Sequence, residues 1–173
     1  MQVPANDPFA SGEDPSRSIW LALPSRLELL GVVDGLVNGI LTHLDADEET
    51  AIAVATSVIE AGTNAIQHGH QHDPQRSVRF CFRFNPAAFE VWVTDTGPGF
   101  ELKDLLSADP TRPEDLLKAR GRGIFIMRSM MDRVEFDIRP GVGTTVHLWK
   151  SLTSNGSGAD AAGAGGPAAE QAG

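Results

Sequence analysis

The longest apolar pattern in the chain predicts a helix from Asp47 to His68. Most of its residues are small or apolar, so most of its surface must pack against the rest of the protein. A polar stripe with three- and four-residue spacing follows one side of this helix: Thr56, Glu60, Asn64 and Gln67. Burying a carboxylate or amide without a partner costs on the order of 2–7 kcal/mol. The stripe therefore faces solvent or a polar cavity.

A second helix precedes this one, and both have candidate capping residues. Apolar residues at helical spacing predict a helix over 26–42, with Ser25 in the N-cap position. Asp45, followed three residues later by Glu48, resembles a capping box at the start of the central helix. We expect Gly69 to end that helix.

Alternating apolar and polar residues predict strands on both sides of the helical region. The predicted strands cover 18–23, 76–84, 89–95, 134–138 and 144–149, and a third helix covers 121–133. Hairpin connections imply a mostly antiparallel mixed sheet, and three helices can cover one of its faces. The predicted fold class is α/β (α+β), a two-layer sandwich.

Composition divides the chain into one domain and two polar ends. Residues 1–17 are rich in Pro, Gly, Ser and Asp and read as a mobile arm, and residues 151–173 read as a disordered Gly/Ala-rich tail. The folded domain is therefore expected over 18–150. The segment 96–120 has no strong periodicity, and a loop of this length inside a domain is usually functional.

Net charge and cysteine content narrow the classes of function. A net charge of −9 argues against direct nucleic-acid binding and anionic-membrane binding, because both rely on basic surface. Cys81 is the only cysteine, so no internal disulfide can form. With no signal peptide pattern and no apolar run long enough to span a bilayer, the expected location is cytoplasmic.

The segment DTGPG, residues 95–99, directly follows a predicted strand. The Asp95 carboxylate can accept a hydrogen bond from an exocyclic amine, and Gly97 and Gly99 let a flat ring approach the backbone. The same residue types also form ordinary tight turns.

Two further segments could bind a ligand. Arg120, Gly121, Arg122 and Gly123 lead into the third helix, where backbone N–H groups and the helix dipole favour an anion. A flexible loop with solvated arginines is the simpler alternative. Thr145 lies in the last strand and could donate a hydroxyl group, although threonine also suits a strand.

Three histidines alternate after the central helix: His68, His70 and His72. Alternating histidines in a loop are a poor ligand set, so we favour solvated or active-site-edge histidines over a metal site.

Taken together, the order and spacing of these motifs resemble the nucleotide-binding (Bergerat) fold of the GHKL superfamily. Within it, the chain is most similar to the bacterial anti-sigma-factor serine kinases. EAGTNAIQHG, VTDTGPGF and GRGIFIMRSMMDRVEF are the segments that carry the resemblance, which covers about residues 18–150.

The resemblance implies ATP or ADP and Mg²⁺ as ligands. Glu60 would be the general base for an attacking hydroxyl, and Asn64 would bind the Mg²⁺ that bridges the phosphates. Asp95 would bind the adenine amino group in a pocket shaped by Gly97 and Gly99.

Other positions would contact the phosphates and the adenine side. Gly121 and Gly123 would present backbone N–H groups to the phosphates, and Thr145 would support the adenine side. Arg120, with Arg122 as the alternative, would reach the γ-phosphate, and residues 101–120 would form a lid over ATP.

The family resemblance predicts an anti-sigma factor that phosphorylates an anti-anti-sigma (STAS-type) antagonist and otherwise binds a sigma factor. Family members commonly dimerise, so a homodimer is an open alternative. A nucleotide-gated binding module without efficient phosphotransfer would need the same pocket. A histidine-kinase ATPase domain ranks third, because only about 17 polar residues precede the first predicted strand.

Overall fold

Five strands and three helices make up the part of the chain that the structure, a computed structural model, describes: residues 18–99 and 119–153. In chain order they are β1 (Ile19–Pro24), α1 (Leu30–His43), α2 (Glu48–Asn64), β2 (Ser77–Asn85), β3 (Ala88–Asp95), α3 (Ala119–Met130), β4 (Arg133–Arg139) and β5 (Gly143–Ser151). A 3-10 turn over Leu27–Leu29 precedes α1, and a π-helical turn over Ala65–Gly69 follows α2. The arm 1–17, the lid 101–118 and the tail beyond 153 lie outside the described residues.

The strands form a single sheet in the order β1-β2-β3-β5-β4. Every described pairing is antiparallel. Short hairpin connections join β2 to β3 and β4 to β5, whereas helices lie between the partners of the other two pairs. The predicted α+β class with an antiparallel sheet and three helices is confirmed, although no described pair is parallel.

The two faces of the sheet differ as the alternation predicted. The face under the helices carries the buried apolar side chains, including Phe80, Phe82 and Val91. On the opposite face the rings of Trp92 and His147 are stacked with centroids 4.4 Å apart. The strands therefore present one apolar face to the helices and one mixed face away from them.

Helix α2 packs against both other helices and against the sheet. Gly62 lets α2 lie close to α1 and to the sheet. A Cβ on this residue would lie 2.8 Å from Leu30 Cδ2 and 3.3 Å from Phe80 Cζ. Of the two explanations for a glycine inside this helix, close packing is the one that the structure supports.

Both predicted helix caps are wrong. Asp47, not Asp45, is the N-cap of α2, and its Oδ1 accepts a hydrogen bond of 2.8 Å from the Thr50 amide. Asp45 instead adopts a positive φ of 52° in the preceding turn. Ser25 makes no cap either, because its hydroxyl is buried against His70.

The end of α2 is a wider turn than predicted. The α-helix ends at Asn64, and the His70 amide donates to the carbonyl of Ala65 over 2.8 Å, a π-type bond that spans five residues. Such turns are frequent at functional sites. The extra residue in this turn sets the direction of the chain where it approaches β3.

Two further boundaries differ from those predicted. Helix α3 begins at Ala119 and ends at Met130, two and three residues earlier than predicted, so the G-x-G motif follows its first residues instead of opening it. Strand β5 continues to Ser151, whose amide donates to Asp132 Oδ2 over 2.8 Å, so the ordered domain includes the first residues of the predicted tail. Among the described helices, none has the length and hydrophobicity needed to cross a membrane.

Candidate functional site

Two residues of the polar stripe, Glu60 and Asn64, face the first turns of α3. A Cβ placed on Gly123 would lie 2.6 Å from Glu60 Oε2 and 3.1 Å from Asn64 Nδ2. No larger residue than glycine could stand there without moving the two polar side chains. The structure therefore brings Glu60, Asn64 and the G-x-G motif together, although Glu60 and Gly123 are 63 residues apart in the sequence.

The carboxylate of Asp95 lies at the end of β3, with 6% of the residue exposed. Its Oδ1 accepts a hydrogen bond of 2.8 Å from the Gly97 amide, which fixes the carboxylate to the loop that follows. A Cβ on Gly97 would overlap the carbonyl oxygen of Gly69, and a Cβ on Gly69 would lie 2.5 Å from Asp95 Cγ. The π-helical turn and the DTGPG loop are thus in direct backbone contact.

Gly99 brings this loop against the turn between β4 and β5. Its φ is +74°, a conformation that favours glycine, and a Cβ there would lie 3.3 Å from the carbonyl oxygen of Arg139. The neighbouring Pro98 carbonyl accepts a hydrogen bond of 2.9 Å from the Gly141 amide. The turn between β4 and β5 therefore holds this loop by a backbone hydrogen bond and close backbone packing.

A small cavity joins the two halves of the site. Asn64 from α2, Asp95 from β3 and Ile124 from α3 line it, together with Thr144 and Phe136. Its volume of about 20 Å³ is room for roughly one water molecule. Because pockets for larger ligands measure about 300 Å³ or more, the cavity between Asn64 and Asp95 would have to widen before it could hold a purine ring.

Thr144, which the sequence reasoning missed, is the threonine of β5 that reaches this cavity. It pairs with Asp95 across the β3–β5 ladder and is 4% exposed. Thr145 points to the opposite face, where its hydroxyl lies 3.0 Å from that of Thr94. The alternation of side chains along a strand could have identified Thr144. Val146 is buried under the helices, and Thr144, two residues earlier, must lie on the same face of β5.

Comparisons with known proteins identify the family. The histidine kinase-like ATPase domain matches residues 23–150. The anti-sigma F factor of Halalkalibacterium halodurans is 35% identical over 123 residues, which are 69% of this chain and 82% of that protein. The chain belongs to the anti-sigma-factor serine kinase family of histidine kinase-like ATPases.

Other relatives agree with this family. The serine-protein kinase RsbW of Bacillus subtilis is 29% identical over 138 residues, 78% of this chain and 85% of that protein. The RsbU and RsbW domains of a Mycobacterium tuberculosis protein match with a TM-score of 0.57 at 14% identity, over 78% of this chain and 32% of that one. The SiaB–SiaC complex of Pseudomonas aeruginosa gives a TM-score of 0.58 at 12% identity, over 77% and 89%. The two structures show the fold alone, and the resemblance read from the motifs is confirmed by the sequence matches.

The remaining candidate residues of this anti-sigma kinase fold lie at the start of α3 and differ in how far they are exposed. Gly121 is partly buried and Gly123 buried in the opening turns of α3, whereas Arg122 is exposed. The side chain of Arg120 and the lid 101–118 lie outside the described residues. The choice between Arg120 and Arg122 as the phosphate ligand therefore stays a prediction.

The three histidines occupy different environments. His72 is exposed, as expected of a solvated loop residue, whereas His70 is only 3% exposed and contacts Thr96, so of the two expected environments it has the one at the edge of the site. Burial lowers the pKa of His70 by disfavouring the imidazolium, and the nearby charge of Arg76 lowers it further, against a smaller opposing effect of Asp73. His70 is therefore neutral at pH 7 and sits at the edge of the Asp95 loop.

Proposed function

We propose that this chain is an ATP-dependent serine/threonine protein kinase that acts as an anti-sigma factor. It would phosphorylate an anti-anti-sigma (STAS-type) antagonist protein and bind a sigma factor when the antagonist is phosphorylated. The names of its relatives, an anti-sigma F factor and a serine-protein kinase, support both parts of this proposal. The observation that carries the kinase part is the position of Glu60 beside Asn64 and Gly123.

Glu60 is suited to the transfer step because it stands one helical turn before Asn64 on the same side of α2. In that step the γ-phosphorus bonds to a Ser or Thr hydroxyl oxygen, the bond to the β-phosphate oxygen breaks, and ADP leaves. Glu60 would accept the proton of the attacking hydroxyl. Positioned proton acceptors contribute about 10²- to 10⁴-fold to such rates.

The other groups fit the binding of ATP or ADP with Mg²⁺. An amide oxygen suits a hard cation that keeps most of its waters, so Asn64 would hold Mg²⁺, which neutralises charge on the phosphates. The buried Asp95 carboxylate can accept a hydrogen bond from the adenine amino group, in a pocket bounded by Gly97 and Gly99.

Phosphate binding would fall to the start of α3. Backbone N–H groups at a helix N-terminus attract anions, and Gly121 and Gly123 let a phosphate approach them closely. Arg120, or alternatively Arg122, would pair with the γ-phosphate. On the adenine side, Thr144 replaces Thr145 in our proposal, because only Thr144 lines the cavity with Asp95.

The first test is a phosphotransfer assay with the purified chain, Mg²⁺ and γ-labelled ATP, with and without a STAS-type antagonist protein. We expect acid-stable phosphoserine or phosphothreonine on the antagonist. Glu60→Gln removes the proton acceptor at nearly constant shape and should lower the rate by about 10²- to 10⁴-fold. Glu49→Gln is the matched control, because Glu49 is an exposed carboxylate in the first turn of the same helix.

The outcomes separate the alternatives. Normal ATP binding without any label would favour a nucleotide-gated binding module, and acid-labile label would indicate histidine-kinase chemistry. Phosphotransfer by Glu60→Gln at the wild-type rate would refute the role of Glu60. The sigma-factor part is tested separately, by measuring whether sigma-factor binding requires ATP or ADP.

A further inference from the structure

His70 lies where three segments of the fold meet. Its Nδ1 is 2.5 Å from the hydroxyl oxygen of Ser25, just after β1. Its Nε2 is 2.9 Å from the amide nitrogen of Thr96 and 3.2 Å from the hydroxyl of the same residue. The ring therefore bridges the end of β1 and the loop that begins at Asp95.

These contacts determine which ring nitrogen carries the proton. A backbone N–H can only donate, so the Nε2 that faces the Thr96 amide must be the unprotonated acceptor. In the neutral ring the proton is then on Nδ1, which donates to the Ser25 hydroxyl. The arrangement requires a neutral imidazole in this one tautomer.

Arg76 completes a closed ring of contacts around Thr96. Its Nη1 donates to the Thr96 carbonyl over 2.9 Å, and its own carbonyl accepts from the Ser25 amide over 3.0 Å. Thr96 is thus held at its amide by His70 and at its carbonyl by Arg76. It is the residue between Asp95 and Gly97, which are joined by their own hydrogen bond.

We propose that His70 is a positioning residue for the nucleotide: its neutral ring holds the Thr96 amide and so fixes the Asp95 carboxylate in the orientation that binds adenine. The proposal rests on nucleotide binding at Asp95 and extends it to a residue that does not touch the ligand. Thr96 is itself exposed, and its backbone is held by two side chains from outside the loop, His70 at the amide and Arg76 at the carbonyl.

Protonation reverses the contact. An imidazolium has N–H groups on both nitrogens, so Nε2–H would face the Thr96 N–H, and two donors cannot bond each other. The charged groups that act on the ring are Arg76 and Asp73. Arg76 opposes a second positive charge, whereas the Asp73 carboxylate favours it.

The direction of the pH effect follows from the lowered pKa of His70. The unfolded chain takes up a proton near pH 6.5, the ordinary value, and the folded chain does so only at lower pH. The stability that the neutral ring contributes is therefore complete above pH 6.5 and is lost as pH falls through the folded pKa. Nucleotide affinity should fall at lower pH, once the ring of the folded chain itself takes up a proton, if the ring positions the loop.

The test compares nucleotide affinity of the full chain for the wild type and His70→Gln, in a pH series from about pH 8 down to the lowest pH at which both proteins stay folded. A glutamine carbonyl can accept the Thr96 N–H in place of Nε2, but it does not titrate. We expect wild-type affinity to fall at least fivefold more than that of His70→Gln, because an unsatisfied donor weakens binding by about 5- to 100-fold. Titration of the nucleotide phosphates is common to both proteins and cancels.

Two further variants complete the design. His70→Phe lacks an acceptor and should bind nucleotide at least fivefold more weakly than His70→Gln at about pH 8. His72→Asn, a change in the exposed neighbouring histidine, should keep the full wild-type pH dependence. Equal pH dependence in the wild type and His70→Gln would overturn the proposal.

An NMR readout keeps this proposal distinct from the proposed function. Ring nitrogen shifts should show the Nδ1–H tautomer at about pH 7.5, and amide exchange at Thr96 and Gly97 should accelerate on acidification in the wild type but not in His70→Gln. An Nε2–H tautomer would refute the assignment even if ATP binds normally. Failure of the wild type to bind ATP at pH 8 would refute the nucleotide proposal, and with it the positioning of a nucleotide by His70.

Discussion

Substituting alanine for Gly123 should separate catalysis from stability. The new Cβ would stand 2.6 Å from Glu60 Oε2, about 0.8 Å inside ordinary contact, which begins at 3.4 Å. The clashing atom is the end of a half-exposed side chain, so Glu60 can move toward solvent while the backbone stays in place. The displacement falls on the group that we propose accepts the proton.

The size of each effect can be worked from this geometry. A misplacement near 1 Å costs a catalytic group about 10²-fold in rate, so kcat should fall by about that factor. Alanine is about 1 kcal/mol more favourable than glycine inside a helix, so the free energy of unfolding should stay constant or rise. Asn64 Nδ2 would also be crowded, at 3.1 Å from the new Cβ, so nucleotide affinity should fall as well, but less than kcat, because Glu60 is displaced further and Asp95 is untouched.

The assay combines single-turnover phosphotransfer with thermal unfolding of the same samples. Gly39→Ala is the matched control: Gly39 is also helical, and a Cβ there meets nothing within 4 Å. It should raise the melting temperature by about 2–4 °C and leave phosphotransfer unchanged. Full phosphotransfer activity in Gly123→Ala would refute the argument that Glu60 must stay where the structure places it.

Two further predictions concern stability. Gly143 has a φ of +150°, and a Cβ on this residue would overlap the carbonyl oxygen of Asp95. Gly143→Ala should therefore lower the free energy of unfolding by about 3 kcal/mol or more. An unchanged urea midpoint would contradict this prediction. At Asp132, burial acts to raise the pKa, but hydrogen bonds from the Ser151 amide and Lys150 outweigh it and leave the pKa below its usual value. That stabilisation is present above about pH 4 and is lost as pH falls through the folded pKa, so the urea midpoints of wild type and Asp132→Asn should converge in acid; a constant gap would exclude the carboxylate as the cause.

The elements that the sequence predicts well are those whose pattern is repeated along many residues. Alternation identified β2 and β3 because, among the described residues, the helices cover one face of the sheet and leave the other without a helix. The same rule, applied from Val146 backwards, would have identified Thr144 rather than Thr145. That miss was an error of counting within reach of the sequence.

Other features depend on partners that the local sequence does not name. Ser25 has the chemistry of an N-cap, but its hydroxyl pairs with His70, which is 45 residues away in the chain. Gly62 could have been a tolerated defect or a packing requirement, and only the position of Leu30 decides between them. Such choices are made by tertiary contacts, which propensities cannot contain.

The π-helical turn over Ala65–Gly69 has a consequence for how this family diverges by insertion and deletion. Each helical residue turns the chain by about 100°, so loss of one residue from the turn would swing everything after it by roughly that angle. His70 would then lose its contact with Thr96, and Gly69 its contact with Asp95, although the Asn, His and Gly of the segment were all still present. Homologues in which a single gap falls between the Asn and Gly of the NAIQHG segment should therefore have lost the adenine pocket while still being recognised by sequence as kinases.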